Sequence, residues 1–90
     1  MQIKHRIISL SETPVDLTTN NVIDPFISMS IQNIMTTGYA YIGGENVSTS
    51  DYGHKLYPGQ SFTIDLAPKD SIYAVGDAGV QIAVFVLEIG

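Results

Sequence analysis

The sequence predicts an all-β fold, a small β-sandwich or jelly-roll-like barrel of about six to eight antiparallel strands. Gly, Pro, Asn, Asp, Ser and Thr punctuate the chain every eight to twelve residues, the rhythm of short strands joined by turns. Between these points apolar residues alternate with polar ones, and no helical period of useful length occurs. Ordering the backbone costs roughly 1–2 kcal/mol per residue, so the strands must face each other in two layers or close into a barrel. Ninety residues leave room for one such domain, spanning 1–90, with an amino-terminal strand or arm at 1–10 and a β core over 26–89.

The first strand is expected at Gln2 to Leu10, where Ile3, Ile7 and Ile8 are apolar and the phase breaks at the Ile7-Ile8 pair. A loop with Pro14, Asn20, Asn21 and Pro25 follows, holding a short extended piece at Val15 to Leu17. Alternation then becomes regular. Ile27, Met29 and Ile31 share one face, with Phe26, Ser28, Ser30 and Gln32 on the other. Thr37 to Ile42 places Tyr39 and Tyr41 opposite Ala40 and Ile42 and ends at the Gly43-Gly44 turn. Glu45 to Gly59 reads as a long loop with a short paired segment near Val47. Ser61 to Leu66 turns Phe62, Ile64 and Leu66 inward. The Pro68 turn leads to Ser71 to Val75, expected as a hairpin partner of the preceding strand, and 76–79 as a second hairpin connection, which together would make a carboxyl-terminal meander. Val80 to Ile89 is apolar on both parities. Four valines and bounding glycines favour strand over helix there, and a strand apolar on both faces needs cover from a further layer or another subunit.

A hydrophobic share of 44% and a charged share of 14% suit a packed core rather than a disordered tail. No run approaches the ~18 apolar residues of a membrane span, and the start lacks the apolar block of a signal peptide, so a soluble chain is expected. The absence of cysteine removes disulfides, thiol nucleophiles and cysteine-bound zinc. The net charge of -5 opposes binding to nucleic acid or anionic membranes. Lys4 and Arg6 make the amino end a separate basic feature, because the remainder holds two lysines and nine acids.

No residue constellation points to catalysis. His5 and His54 lie 49 positions apart, without metal-ligand spacing. Ser50, Asp51 and His54 supply the residue types of a hydrolase triad but crowd into one loop. Asp65 and Asp70 flank a turn, where Asp commonly serves local hydrogen bonds. Gly43-Gly44 lacks the third glycine and following helix of a phosphate cradle, and Asn46-Val47-Ser48 matches a glycosylation triplet. Five tyrosines, at 39, 41, 52, 57 and 73, offer contact area for an interface or for stacking on sugar rings.

The second half carries an ordered series: Tyr41-Ile42-Gly43-Gly44, Asn46-Val47-Ser48, Gly53, Leu56, Pro58-Gly59, Phe62-Thr63-Ile64, Asp70, Ile72-Tyr73-Ala74-Val75 and Val86-Leu87-Glu88. Over roughly the last 52 residues this series resembles the small β-rich virion proteins of tailed bacteriophages. The resemblance implies a non-enzymatic structural protein of the particle, most often a capsid decoration or head-associated protein located in the virion. Its expected partners are itself, as a homo-oligomer with a trimer favoured, and the major capsid protein. No cofactor is implied. An alternative reading is a tail- or fibre-associated module that binds a host-surface glycan through the tyrosine-bearing loop. Candidate contact residues are Ile3, Lys4 and Arg6 on the first strand, Tyr52, His54 and Tyr57 in the loop region, and Phe85, Leu87 and Ile89 on the last strand.

Overall fold

A computed structural model describes residues 2–18, 26–67 and 70–89. The strands among them are β1 (Gln2–Ser9), β2 (Val15–Asp16), β3 (Phe26–Asn33), β4 (Ala40–Gly43), β5 (His54–Leu56), β6 (Ser61–Leu66), β7 (Tyr73–Gly76) and β8 (Gln81–Ile89), and no helix occurs among the described residues. They form two four-stranded sheets, sheet A in the order β1-β8-β3-β6 and sheet B in the order β2-β7-β4-β5. All pairings are antiparallel. Only β4 and β5 are neighbours in both sequence and sheet, so every other connection passes from one sheet to the other. Two four-stranded sheets wound in this way are a jelly roll; the expected all-β class of six to eight antiparallel strands is found.

The inward parity of each strand builds one core. Met29 and Ile31 of β3, Ile82 and Val84 of β8 and Leu66 of β6 meet Ala40 and Ile42 of β4, Leu56 of β5 and Ala74 of β7. Leu10, Leu17, Ile72 and Val80 close the ends, and Ile8, Phe62, Ile64 and Val86 pack at the margin. The broken phase at Ile7-Ile8 is resolved simply, since Ile8 packs on the core while Ile7 faces out. β1 is bonded to β8 along its full length, from Gln2↔Glu88 to Ser9↔Gln81, and forms an edge of sheet A.

Asn33 ends β3 inside this core with no solvent exposure. Its Nδ2 donates to the carbonyls of Gly38 and Leu56, each at 3.1 Å, and its Oδ1 accepts from the amide of Met35 at 3.0 Å. One amide thus ties a strand of sheet A to the loop before β4 and to β5 of sheet B. Gly38, at φ +90°, completes that loop, where a Cβ would lie 2.7 Å from Val80 Cγ2.

Two expectations are corrected. β7 does not pair with β6 or β8: it lies between β2 and β4 in sheet B, and the carboxyl-terminal meander is absent. The physical reason lies in the faces. β7 buries Ala74 inward and Val75 outward, as an interior strand does, whereas β6 exposes Ser61, Thr63 and Asp65 and suits an edge. Within 45–59 the paired segment is His54–Leu56, bonded to β4, and Val47 is buried without being a strand residue.

Candidate interaction surfaces

The pairing registers assign the outer face of sheet A row by row. Ile3 lies opposite Leu87, then Ser28 and Asp65; His5 opposite Phe85, then Ser30 and Thr63; Ile7 opposite Ala83, then Gln32 and Ser61. The face is therefore divided. Its β1–β8 half is apolar around His5, and its β3–β6 half carries hydroxyl and amide groups, with Ser30 Oγ and Thr63 Oγ1 hydrogen-bonded at 3.1 Å. Ile3 is 60% exposed, Ile7 56% and Phe85 47%, with Leu87 and Ala83 half-buried between them. Half the exposed large apolar side chains among the described residues thus belong to a single stripe.

Ile3, Phe85 and Leu87 of the sequence-predicted contact set come together here. Ile89 pairs with Phe26 at the same end of the sheet, but its side chain lies outside the described residues. Lys4 and Arg6 do not join them, because alternation turns both to the opposite face of β1. Lys4 Nζ sits 2.9 Å from Glu88 Oε1, and Arg6 Nη2 donates to the Leu17 carbonyl at 2.8 Å. The basic amino end is in part spent within the chain. Sequence reading missed His5, Ile7 and Ala83 as members of this face, although the two-residue spacing from Ile3 to Ile7 carried the signal.

Sheet B has apolar residues on both faces, and its outer one is covered. Tyr41 and Val75 are buried there with Val47, flanked by Tyr39 and Tyr73. Residues 44–53 fold over this face, held by the Val47 amide on the Gly44 carbonyl (3.0 Å), by paired bonds between the Ser48 and Asp51 backbones, and by Gly53 on Ile42 (2.8 Å). Lys55, opposite Tyr41 on β5, places Nζ 4.2 Å from the Tyr39 ring centre, 5.1 Å from Tyr57 and 5.7 Å from Tyr41. Tyr57 meets Tyr39 edge-on at 5.2 Å, and Tyr52 leans on Tyr41 at 5.0 Å. Such cation–π contacts are worth about 0.5–2 kcal/mol each, so the tyrosines form a second small core around one ammonium. Tyr52 and Tyr57 stay exposed at its rim. His54 leaves this group and stacks on Phe62 at 4.7 Å.

Two clefts adjoin these elements. One of about 350 Å³ opens between the sheets, lined by Ile42, His54, Phe62, Ile64, Leu66 and Ile72, where β5 ends and glycines 43, 44 and 53 supply no side chain to cover β6. The other, about 370 Å³, lies along residues 44–53 beside Glu45, Asn46, Asp51 and Tyr52. Ser50, Asp51 and His54 do not converge: Ser50 Oγ bonds to Ser48 Oγ, while His54 lines the first cleft and Asp51 the second. Asp70 accepts from the Ala67 amide at 2.9 Å, a local turn bond. Among the described residues no group of three His, Cys, Asp or Glu is placed to hold a metal ion, and no helix is long and apolar enough to cross a membrane.

No protein-family model and no curated protein matches the chain. A solved structure of the Bacillus endospore appendages, which form a family of disulfide-linked pili, is similar in fold. The TM-score is 0.60 at 13% sequence identity, over 94% of this chain and 82% of that one. At that identity the likeness establishes a shared all-β architecture and nothing further.

Proposed function

We propose that this chain is a structural protein of a bacteriophage particle, a capsid decoration or head-associated subunit that self-associates and binds the major capsid protein. The observation that carries the reading is the stripe of Ile3, Ile7, Phe85 and Leu87. A monomer gains nothing by holding these side chains in water on a rigid sheet, whereas an assembling subunit buries them. The fold is also one that a subunit of disulfide-linked pili, the endospore appendage protein, adopts. These 90 residues contain no cysteine, so they form no disulfide of the kind that links the pili. Weak contacts suffice when many copies add to a preformed shell. Purified chain mixed with empty capsids of the same phage should pellet with them at a saturable ratio. Recovery in the supernatant at every concentration would refute the reading.

A second reading is favoured by one feature, the cleft in which the Tyr52 ring stands beside Glu45, Asn46 and Asp51. An exposed ring with carboxylate and amide groups is the chemistry that holds a sugar, by stacking and by bonds to vicinal hydroxyls. A tail or fibre module would use it on a host-surface glycan. Titration with host wall carbohydrate, followed by amide chemical shifts, should then move residues 44–53, and Tyr52→Ala should abolish the response. No shift at millimolar sugar would eliminate this alternative.

A further inference from the structure

We infer that the outer face of sheet A docks against the same face of a second copy of this chain, back to back, with the β1–β8 stripes in register. The inference rests on the reading of the chain as an assembling subunit and names the partner of its exposed stripe. Charge makes the first argument. At a net charge of -5, copies repel unless they meet where acids are absent. By register, Asp65 on the far edge strand is the acid of this face among the described residues, three strands from Ile3, or roughly 14 Å at ~4.8 Å per strand. The other groups beside the stripe are neutral: Ser28, Ser30 and Gln32 on β3, and Thr63 and Ser61 on β6. Lys4 and Glu88 point to the other side and neutralise each other. The face of sheet B is a poorer match, because Glu45 and Asp51 accompany its exposed Tyr52 and, among the described residues, the sheet A face presents no lysine or arginine to receive them.

Area makes the second argument and sets the strength. Four strands of up to eight or nine residues make a face of roughly 19 by 26 Å, or about 500 Å² per copy. Two such faces give about 1,000 Å², at the lower limit for a specific interface. The stripe supplies an apolar centre and the Ser, Thr and Gln half a polar rim, the ordinary anatomy of a protein contact. A contact of this size is weak between isolated chains and becomes effective when many copies are held on one particle. The same patch on both sides makes it two-fold, so it forms pairs rather than the trimer expected from the sequence.

The test is sedimentation equilibrium of the intact chain from about 10 µM to 1 mM, together with capsid pelleting. The average mass should climb from 9.8 kDa toward twice that value, with a dissociation constant in the ~10–500 µM range expected for so small an interface. Phe85→Lys and Ile7→Thr, both at exposed positions, should weaken pairing at least ~10-fold while circular dichroism and melting temperature stay near wild type. The lysine lowers the net negative charge, so overall repulsion does not explain its effect, and the uncharged Ile7→Thr separates loss of apolar contact from repulsion between facing lysines. Tyr57→Ala, on the other sheet, should pair normally. A wild-type chain that stays monomeric at 1 mM yet pellets with capsids overturns the self-docking and leaves the particle role standing. A chain that pairs but ignores capsids does the reverse. Pairing unaffected by Phe85→Lys and Ile7→Thr, or abolished by Tyr57→Ala, also overturns the inference.

Discussion

Replacing Asn33 removes the hydrogen-bonding group that joins the two sheets. In Asn33→Ala the carbonyl of Leu56 loses its buried donor, and the Gly38 carbonyl and Met35 amide lose partners in partly buried positions. A buried polar group left unpaired costs about 1–3 kcal/mol, and each of the other two bonds about 0.5–1.5 kcal/mol, giving about 2–6 kcal/mol in total. At 0.05–0.15 kcal/mol per residue, the whole domain holds only about 4–13 kcal/mol. The melting temperature should therefore fall by roughly 10–50 °C, at about 4–8 °C per kcal/mol. Urea denaturation at pH 7, followed by circular dichroism, measures the loss directly. N33D adds a sign. It keeps the acceptor for Met35 but turns a carboxylate oxygen toward two carbonyls in a buried site, which raises its folded-state pKa above the unfolded value of about 3.9. Its penalty relative to wild type should be smallest below about pH 4 and should grow as pH rises through the folded-state value. A loss below 1 kcal/mol for Asn33→Ala, or an N33D penalty that shrinks with rising pH, would refute the role assigned to this amide.

Gly38→Ala and Gly59→Ala should differ although both glycines have positive φ. The first brings a Cβ to 2.7 Å from Val80 Cγ2 and should cost about 2–4 kcal/mol, whereas the second meets open space and should cost about 1 kcal/mol of backbone strain alone. Equal losses in urea melts would show that the contact with Val80 is not what constrains residue 38. Lys55→Leu should lower stability by about 1–2 kcal/mol, and a double-mutant cycle with Tyr39→Leu should show coupling of about 0.5 kcal/mol or more. Strict additivity would mean that the ammonium is held by solvent rather than by the rings.

The alternation of Met29 and Ile31, and of Phe62, Ile64 and Leu66, made the all-β class and the core faces legible, because period two is a property of the strand itself. Strand neighbours were less so. Sequence adjacency suggested a meander from Ser61 onward, but in a jelly roll the chain crosses between sheets at nearly every connection, and pairing follows which faces must be covered. The doubly apolar last strand was readable as needing a second layer, and its outer face lies open as part of the stripe. That Ile7 belongs to that stripe and Lys4 and Arg6 do not follows from parity on β1, which the Ile7-Ile8 pair obscured until register with β8 fixed it. The role of Lys55 was not legible, since three rings from β4 and from either side of residues 44–53 meet it only after folding.

Whether this chain acts as a particle subunit is read most directly by quantitative sedimentation of the purified protein with empty capsids. A particle subunit gives a saturable pellet with a fixed ratio of chain to capsid protein, unchanged by Tyr52→Ala and weakened by Phe85→Lys. A chain that remains in the supernatant while binding host carbohydrate through Tyr52 would contradict that role.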